Sequence, residues 1–424
     1  FLGPLIGWLK SEKANHLVVF FENPSEMRPG GGFIGSYADV SILKGNIENI
    51  EVHDINDPDR ELNAKIIPPK PLQALVARWR AADANWFFDF PDSAANVLNF
   101  LEESDFYKKR GIEFEGAIGI SANAIADLLE LTGPIEVSGV RLTAENFIQE
   151  IQSEVIEERG KKSPDPKEIL KQLTPILIEK IGALDDAGKT KALSSSAEWF
   201  RKRDVVLYFK NPPLQSFFDY YGWTGRSFAV PQIFWGDYLA LAGSNIGGAK
   251  TDIVIDQKVT FESQIELDGT VRNRLSIERR HGGNKSSKWW YQALNQAYFK
   301  IYTPLAAKPI ALNGADVKKI TPRANYATGG YTANAAVAQI ESTLRDYLDF
   351  PTLQSFKESG KNVFGFWTKV EKGKTRVITL DYTRKLPGAL TPGRTYEFVF
   401  EKQAGSSGRY HFEISAPLGH HWRE

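Results

Sequence analysis

An α/β domain followed by a β-sandwich is the fold class this sequence predicts, and two observations predict it. Strand-like and helix-like runs interleave over residues 1–235, the pattern of an α/β domain built on a mixed sheet. From Asp252 onward strand-like runs dominate, and Asp268-Gly269, Lys372-Gly373 and Pro392-Gly393 supply turn signals between several of them. At 424 residues the chain has room for two or three domains. The expected division is an α/β domain at 1–235, a junction at 236–251 holding the breaker-rich Gly243-Ser244-Asn245-Ile246-Gly247-Gly248, and an immunoglobulin-like sandwich at 252–424.

The elements follow in order. Leu17-Val18-Val19-Phe20-Phe21 is an apolar run of buried-strand type that leads into Glu22-Asn23-Pro24-Ser25-Glu26-Met27-Arg28-Pro29-Gly30-Gly31-Gly32, after which Phe33 to Leu43 alternates as a second strand. Ile47 to Val52 reads as a third, ending in His53-Asp54-Ile55-Asn56-Asp57-Pro58-Asp59. A proline-rich passage, Ile67 to Pro71, precedes Asp83-Ala84-Asn85-Trp86-Phe87-Phe88-Asp89-Phe90-Pro91, and a helix is expected from Ser93 to about Glu102 with Asp89 as a cap. Phe114 to Ile120 is another buried strand. Asn123 to Leu131 is a helix stopped by Thr132-Gly133-Pro134, and Ile135-Glu136-Val137 a short strand. Further helices start after Thr143 and near Asp165-Pro166-Lys167-Glu168, the second interrupted by Pro175. In the sandwich, strands are expected at Ile253–Phe261, Val271–Glu278, Asn362–Val370, Thr375–Tyr382, Thr395–Phe400 and Tyr410–Ser415. Trp289-Trp290-Tyr291 suits a carbohydrate platform or, more commonly, a buried aromatic cluster in an insertion.

Composition narrows the function classes. Lys+Arg and Asp+Glu each number 52, so the net charge is zero and no basic run offers a nucleic-acid footprint. Apolar residues make up 42 %, enough for a sizeable core. Cysteine is absent, which excludes disulfides, a thiolate nucleophile and cysteine metal sites. No run approaches the roughly 18–20 apolar residues of a membrane-spanning helix. The opening Phe1-Leu2-Gly3-Pro4-Leu5-Ile6-Gly7-Trp8-Leu9 suits the trailing edge of a removed signal or anchor, or an arbitrary start. No His-Glu-x-x-His, Gly-x-Ser-x-Gly or Walker-type Gly-Lys-Ser/Thr motif occurs.

Two stretches carry the candidate chemistry. Gly30, Gly31 and Gly32 allow close backbone approach to a ligand, their N–H groups can form an anion-binding nest, and Arg28 adds a forked cationic donor; a sharp turn between strands is the plainer alternative. Residues 83–91 interleave Asp83, Asn85 and Asp89 with four aromatic rings, a pattern that serves sugar or lipid contact or a plugged core equally well. Asp54, Asp57 and Asp59 can supply oxygen ligands to a hard cation, although such a run is more often a solvated turn.

The ordered motifs at 23–37, 83–91 and Leu128–Val137, with Asn245-Ile246-Gly247-Gly248-Ala249-Lys250-Thr251-Asp252, resemble the bacterial domain of unknown function 4012 family. More distantly, the chain is similar to the LytR-CpsA-Psr glycopolymer transferases, with an arginine beside the second strand and Gly133-Pro134-Ile135-Glu136-Val137 echoing their Gly-Gly-Val-x-Val. The resemblance implies a LytR-CpsA-Psr-like α/β domain on the extracellular face of the bacterial membrane, held by an anchor outside this chain. It implies binding, and in the active case transfer, of a polyprenyl-pyrophosphate-linked or other anionic cell-wall glycan with Mg²⁺. Arg28 would then clamp the pyrophosphate, Asp83 and Asp89 would hold the metal or accept a proton, and Asn85 and Trp86 would line the pocket beside Gly30–Gly32. The transferases' arginine-rich stretch corresponds here to 150–173, where Arg159 stands alone. Charge neutralisation carries most of phosphoryl-transfer catalysis, so a binding-only descendant is the counterpart expectation. The alternative class is a non-catalytic structural or assembly protein of surface-layer or adhesion type, homo-oligomeric or partnered through its sandwich.

Overall fold

A computed structural model of the chain describes residues 2–163 and 165–423; Phe1, which opens the apolar N-terminal stretch, lies outside them. The chain divides into two compact units. One gathers the chain up to Pro24 with Pro29–Ala64 and Arg80–Arg226; the other gathers Ser25–Arg28, Lys65–Trp79 and the chain from Ser227 onward.

The first unit is α/β, as expected. Its strands are β1 (Asn15–Arg28, the last four residues counting with the other unit), β2 (Gly31–Leu43), β3 (Asn46–Asp54), β4 (Phe114–Ser121), β5 (Ile135–Val137), β6 (Val140–Leu142) and β7 (Val205–Phe209). Five of them form a mixed sheet in the order β3-β2-β1-β4-β7. β1 runs parallel to β4, with Leu17 opposite Gly116 and Glu22 opposite Ser121, whereas β2–β3 and β4–β7 are antiparallel. A parallel pair needs a long crossover, and here it carries the helix Phe90–Glu103. That helix starts three residues before the expected Ser93, because Phe90 and Pro91 open its first turn and both are buried. Asp89 occupies the cap position, but its side chain makes no capping bond.

Glycine sets how closely β4 can be approached. A Cβ at Gly116 would stand 2.2 Å from the Tyr208 carbonyl oxygen, and one at Gly119 would stand 2.9 Å from both Phe90 and Val206. Two apolar clusters finish the unit. Leu17, Leu207, Phe209, Leu214, Phe217 and Phe218 pack beside the sheet, with Leu5 and Trp8 of the N-terminal helix Gly3–Leu9 against them. Leu129, Ile135, Val137, Leu142, Phe147, Ile169 and Leu173 form a separate core among the helices Ala122–Thr132, Phe147–Gly160 and Glu168–Gly182 and the β5–β6 hairpin.

The second unit is a two-sheet sandwich. Its strands are β8 (Gly236–Asn245), β9 (Ile255–Ile265), β10 (Thr270–His281), β11 (Asn295–Thr303), β12 (Lys308–Asn313), β13 (Arg345–Asp346), β14 (Gln354–Glu358), β15 (Lys361–Val370), β16 (Thr375–Lys385), β17 (Glu397–Lys402) and β18 (Arg409–Ser415). One sheet has the order β13-β14-β15-β11-β8-β17 and the other β12-β16-β10-β9-β18. The pairs β17–β8 and β18–β9 are parallel, and the remaining neighbours are antiparallel. β10 alternates buried and outward positions along its length, the signature of a strand with one face on a core. That core includes Leu239, Phe261, Leu275, Phe299, Phe364 and Leu380.

The division of the chain departs from the expected one in two respects. Residues 236–251 are not a linker, because β8 occupies 236–245 as an interior strand between β11 and β17. Its Tyr238-Leu239-Ala240-Leu241-Ala242 is buried on both faces, so it lacks the alternation by which a half-exposed strand is recognised. The proline-rich 65–79 passage also counts with the sandwich unit, where Ile66 pairs with Trp79 and Thr332. The strand β11 was concealed by its place after Trp289-Trp290-Tyr291; of these rings Trp290 and Tyr291 are buried and Trp289 is exposed.

The sandwich core makes a direct stability test. Leu275 is fully buried and Leu267 is 57 % exposed. Leu275→Ala is expected to lower unfolding free energy by about 2–5 kcal/mol, and Leu267→Ala to change it by less than about 0.5 kcal/mol, as measured by denaturant melts.

Candidate functional site

The glycine turn of the first unit is filled by the protein's own polar groups. Glu22 leaves the end of the apolar run in β1 and is buried, as is Asn85. The Asn85 amide donates to Glu22 Oε1 at 2.9 Å and to the Gly32 carbonyl at 3.1 Å. Each glycine admits one of these contacts. A Cβ at Gly30 would meet Asn85 Oδ1 at 2.0 Å, one at Gly31 would meet Glu22 Oε2 at 2.2 Å, and one at Gly32 would meet the Asn23 backbone at 2.4 Å. Gly31 also has φ +148°, which disfavours any side chain.

Burial pushes the Glu22 carboxyl up to about 8, with the Asp204 charge adding to it and the bonds from Asn85 and Gly32 working against it. At neutral pH the group is a carboxylic acid. Oε1 accepts from Asn85, and Oε2, beside Gly31, makes no hydrogen bond among the described residues; neither does Asn85 Oδ1. This is a closed polar knot with a retained proton.

Other expected residues of this stretch are also inward. Asp83 ends the 3-10 turn Ala81–Asp83, whose Ala81 and Ala82 N–H groups are held by the Asp59 carboxylate at 2.8 and 3.2 Å. Burial pushes Asp59 up to about 6 against those two bonds. Trp86, Phe87, Phe88 and Phe90 are all at least 96 % buried, so they plug the core rather than form a platform. Ser93 Oγ accepts the Phe87 N–H and donates to the Phe87 carbonyl, both at 2.9 Å, which locks the loop to the following helix. Asp89 is buried at the head of that helix.

The acidic run has separate duties too. Asp54 pairs with Lys167 at 2.9 Å and accepts the Asn56 N–H, and Asp57 pairs with Arg60. Among the described residues no three His, Asp or Glu side chains stand together so as to hold a metal ion. Neither Asp83 with Asp89 nor Asp54 with Asp57 is therefore part of a three-carboxylate cage of the protein's own, and Mg²⁺ held there would take its remaining oxygens from water or a phosphate ligand.

Arg28 belongs to the sandwich unit. It is 1 % exposed, and its Nη1 donates to the Asn245 carbonyl at 2.7 Å and to the Met27 carbonyl at 3.0 Å. The Met27 N–H donates to Asp252 Oδ2 at 2.9 Å, and Gln403 donates to the Arg28 carbonyl at 2.7 Å. Asp252 is itself fixed by Asn295 at 2.8 Å and Arg279 at 3.4 Å. Asn245 Oδ1 accepts the Gly248 N–H, holding the loop that carries Gly247 at φ +82°. The two ends of Asn245–Asp252 thus grip Met27 and Arg28, two motifs more than 200 positions apart in the chain. Glu22 and Asp252, central to the two clusters, fall inside the stretches that the sequence marks out, but no spacing there gives either of them a role.

The fold and these clusters define an α/β unit and a two-sheet sandwich whose motif residues are used as internal clamps. Residues 12–155 match the model of a family described as protein of unknown function (DUF4012), so the resemblance of the motifs at 23–37, 83–91 and 128–137 is borne out over that span. The motif at 245–252 lies outside it. No curated protein sequence matches the chain. Among solved structures the chain is similar to the transcriptional regulator yvhJ from Bacillus subtilis, with 12 % identity and a TM-score of 0.27 over 50 % of this chain and 77 % of that one. It is also similar to a candidate nutrient-binding protein from Legionella pneumophila subsp. pneumophila, with 9 % identity and a TM-score of 0.18 over 36 % of this chain and 44 % of that one.

Two outcomes are expected of the glycine turn. Gly31→Ala should cost about 1–3 kcal/mol of stability, read from thermal or denaturant unfolding, because the new methyl displaces a buried carboxyl. The folded chain keeps the Glu22 proton up to about pH 8, whereas the unfolded chain releases it near 4.5. This group's contribution to stability is therefore complete below 4.5 and is lost as pH rises through about 8. Glu22→Gln, which keeps the neutral form, should remove that slope and gain on the wild type by a few kcal/mol between about pH 5 and pH 9. Parallel pH-dependent melts check it, and identical slopes in both proteins would sink the assignment.

Proposed function

We propose that this chain is a non-catalytic glycan-binding protein of the bacterial cell envelope, not a transferase. One observation carries the non-catalytic half. The groups that would grip a pyrophosphate are already engaged inside the protein: Arg28 Nη1 lies on the Asn245 and Met27 carbonyls, and Glu22 and Asn85 fill the space beside Gly30–Gly32. A phosphoryl-transfer site needs positive charge aimed at the reacting phosphate. A buried carboxyl at that position opposes an anion, even when neutral, because ligand binding would have to displace it. The glycan half rests on the motif resemblance, and the extracellular placement rests on it as well.

The test has two arms on the full chain. Incubation with a polyprenyl-pyrophosphate-linked glycan, Mg²⁺ and a cell-wall acceptor is expected to release no polyprenyl phosphate, while cosedimentation with purified cell-wall glycan is expected to retain the protein. Arg28→Ala should leave that cosedimentation unchanged and lower stability by about 1–3 kcal/mol for each carbonyl left unpaired. Release of polyprenyl phosphate by the wild type that disappears in Arg28→Ala would overturn the non-catalytic reading. Failure to cosediment would remove the glycan and leave the assembly role.

A further inference from the structure

In the sandwich unit a cavity of about 230 Å³ opens beside β14 and β15. Phe364 and Phe366 of β15 belong to the core between the sheets, so Gly365 and Trp367 occupy the opposite face by strand alternation. The loop from Asp316 to Ile320 runs along this face, tied down by the Asp316 N–H to the Trp367 carbonyl at 2.8 Å and by the Lys369 N–H to Asp316 Oδ2 at 2.7 Å. Lys70, from the proline-rich passage, completes a wall.

The charges are unequal. Asp316 is the one acid among the lining residues, and Arg376 reaches its other oxygen at 3.4 Å. Lys70 and Lys318 are cations that line the same space. Lys318 Nζ donates to the Gln296 amide oxygen at 3.0 Å and lies 5.6 Å from the centre of the Trp367 ring, neither of which cancels its charge. Burial, and then the nearby Lys369, hold the Lys318 ammonium below its usual range. Glu341 accepts the Lys70 backbone N–H and its charge is shared between Lys70 and Lys300, but it stands outside the cavity wall. Within the wall itself two lysines face one carboxylate that Arg376 already pairs, so an incoming anion meets a net positive lining.

The remaining walls suit a small polyhydroxylated ring. The volume lies below the roughly 300–1,000 Å³ of pockets for drug-sized ligands. Thr352 supplies a hydroxyl, and Gln354, whose amide N–H donates to Asp346 at 2.7 Å, keeps its oxygen as an acceptor. Val317 and Ile320 supply apolar wall for the C–H face of a ring.

We propose that this cavity is a subsite for one anionic sugar residue, a single ring bearing a carboxylate or a phosphate, held by Lys70 and Lys318. The proposal rests on the glycan-binding reading and gives it a place and a charge. Calorimetric titration of the full chain with glucuronic acid, glucose phosphate, glucose and inorganic phosphate tests it. At least one of the two acidic sugars is expected to bind about tenfold or more tightly than both glucose and inorganic phosphate, and which one does so identifies the anion. Lys318→Met and Lys70→Met are each expected to weaken that binding about tenfold, the loss of one charge-assisted hydrogen bond, with the thermal midpoint unchanged in Lys70→Met and slightly lowered in Lys318→Met, which also gives up its bond to Gln296. If Lys318→Met unfolds the chain, Lys70→Met, on an exposed side chain, decides alone. No binding at tens of millimolar, equal binding of inorganic phosphate, or wild-type affinity in the variants overturns the subsite. Failure of every sugar probe while intact cell-wall glycan still cosediments overturns the subsite alone, whereas failure of both removes the glycan-binding reading as well.

Discussion

Much of the first unit's polar interior depends on how closely the backbone at Gly30–Gly32 approaches Glu22, Asn23 and Asn85. With hypothetical Cβ contacts of 2.0–2.4 Å, no other residue type leaves room for this packing. The contact joins the middle of β1, the start of β2 and the loop before the helix Phe90–Glu103, so three separate pieces of chain share one small polar knot. Glu22 stays compatible with burial by keeping its proton, since an ionised carboxylate in the same place would carry a large desolvation penalty. Three consecutive glycines are thus explained without a ligand.

A second clamp works in the same way in the sandwich unit. Asp252 accepts a backbone N–H from Met27 while Asn295 and Arg279 hold its other oxygen, so its charge is distributed over fixed donors. Arg28 caps backbone carbonyls, a use for which its fork of donors is well shaped. Removing either partner would leave a buried polar group exposed to the cost of desolvation rather than open a binding site. Motifs that look like recognition elements in a linear sequence are in this chain the fasteners of the fold.

The proposed binding site lies away from the motifs. In the α/β unit the aromatic loop 86–90 is spent on the core. The sandwich presents a cavity in which lysine charge exceeds carboxylate charge, assembled from three segments that no local pattern connects: 70–71, 316–320 and 351–367. None of the residues lining this cavity belongs to either clamp.

Some of this was legible from the sequence alone. Apolar runs such as Leu17–Phe21 and the clean alternation of β10 determine strands, and Gly269 and Gly373, at positive φ, determine turns, because each depends only on local backbone preference and on one face being buried. The α/β-then-sandwich order follows from those local signals. Tertiary structure decided what they could not carry. β8 and β11 are covered on both faces by neighbours distant in the chain, so their sequences lose the period of two that marks a strand. The same holds for side-chain roles: Arg28 could face a ligand or a carbonyl, and Glu22 could be charged or neutral, until Asn245 and Asn85 arrived from elsewhere. Hydrogen-bond partners and dielectric surroundings are properties of the packed chain, and they decided that the glycine turn is closed.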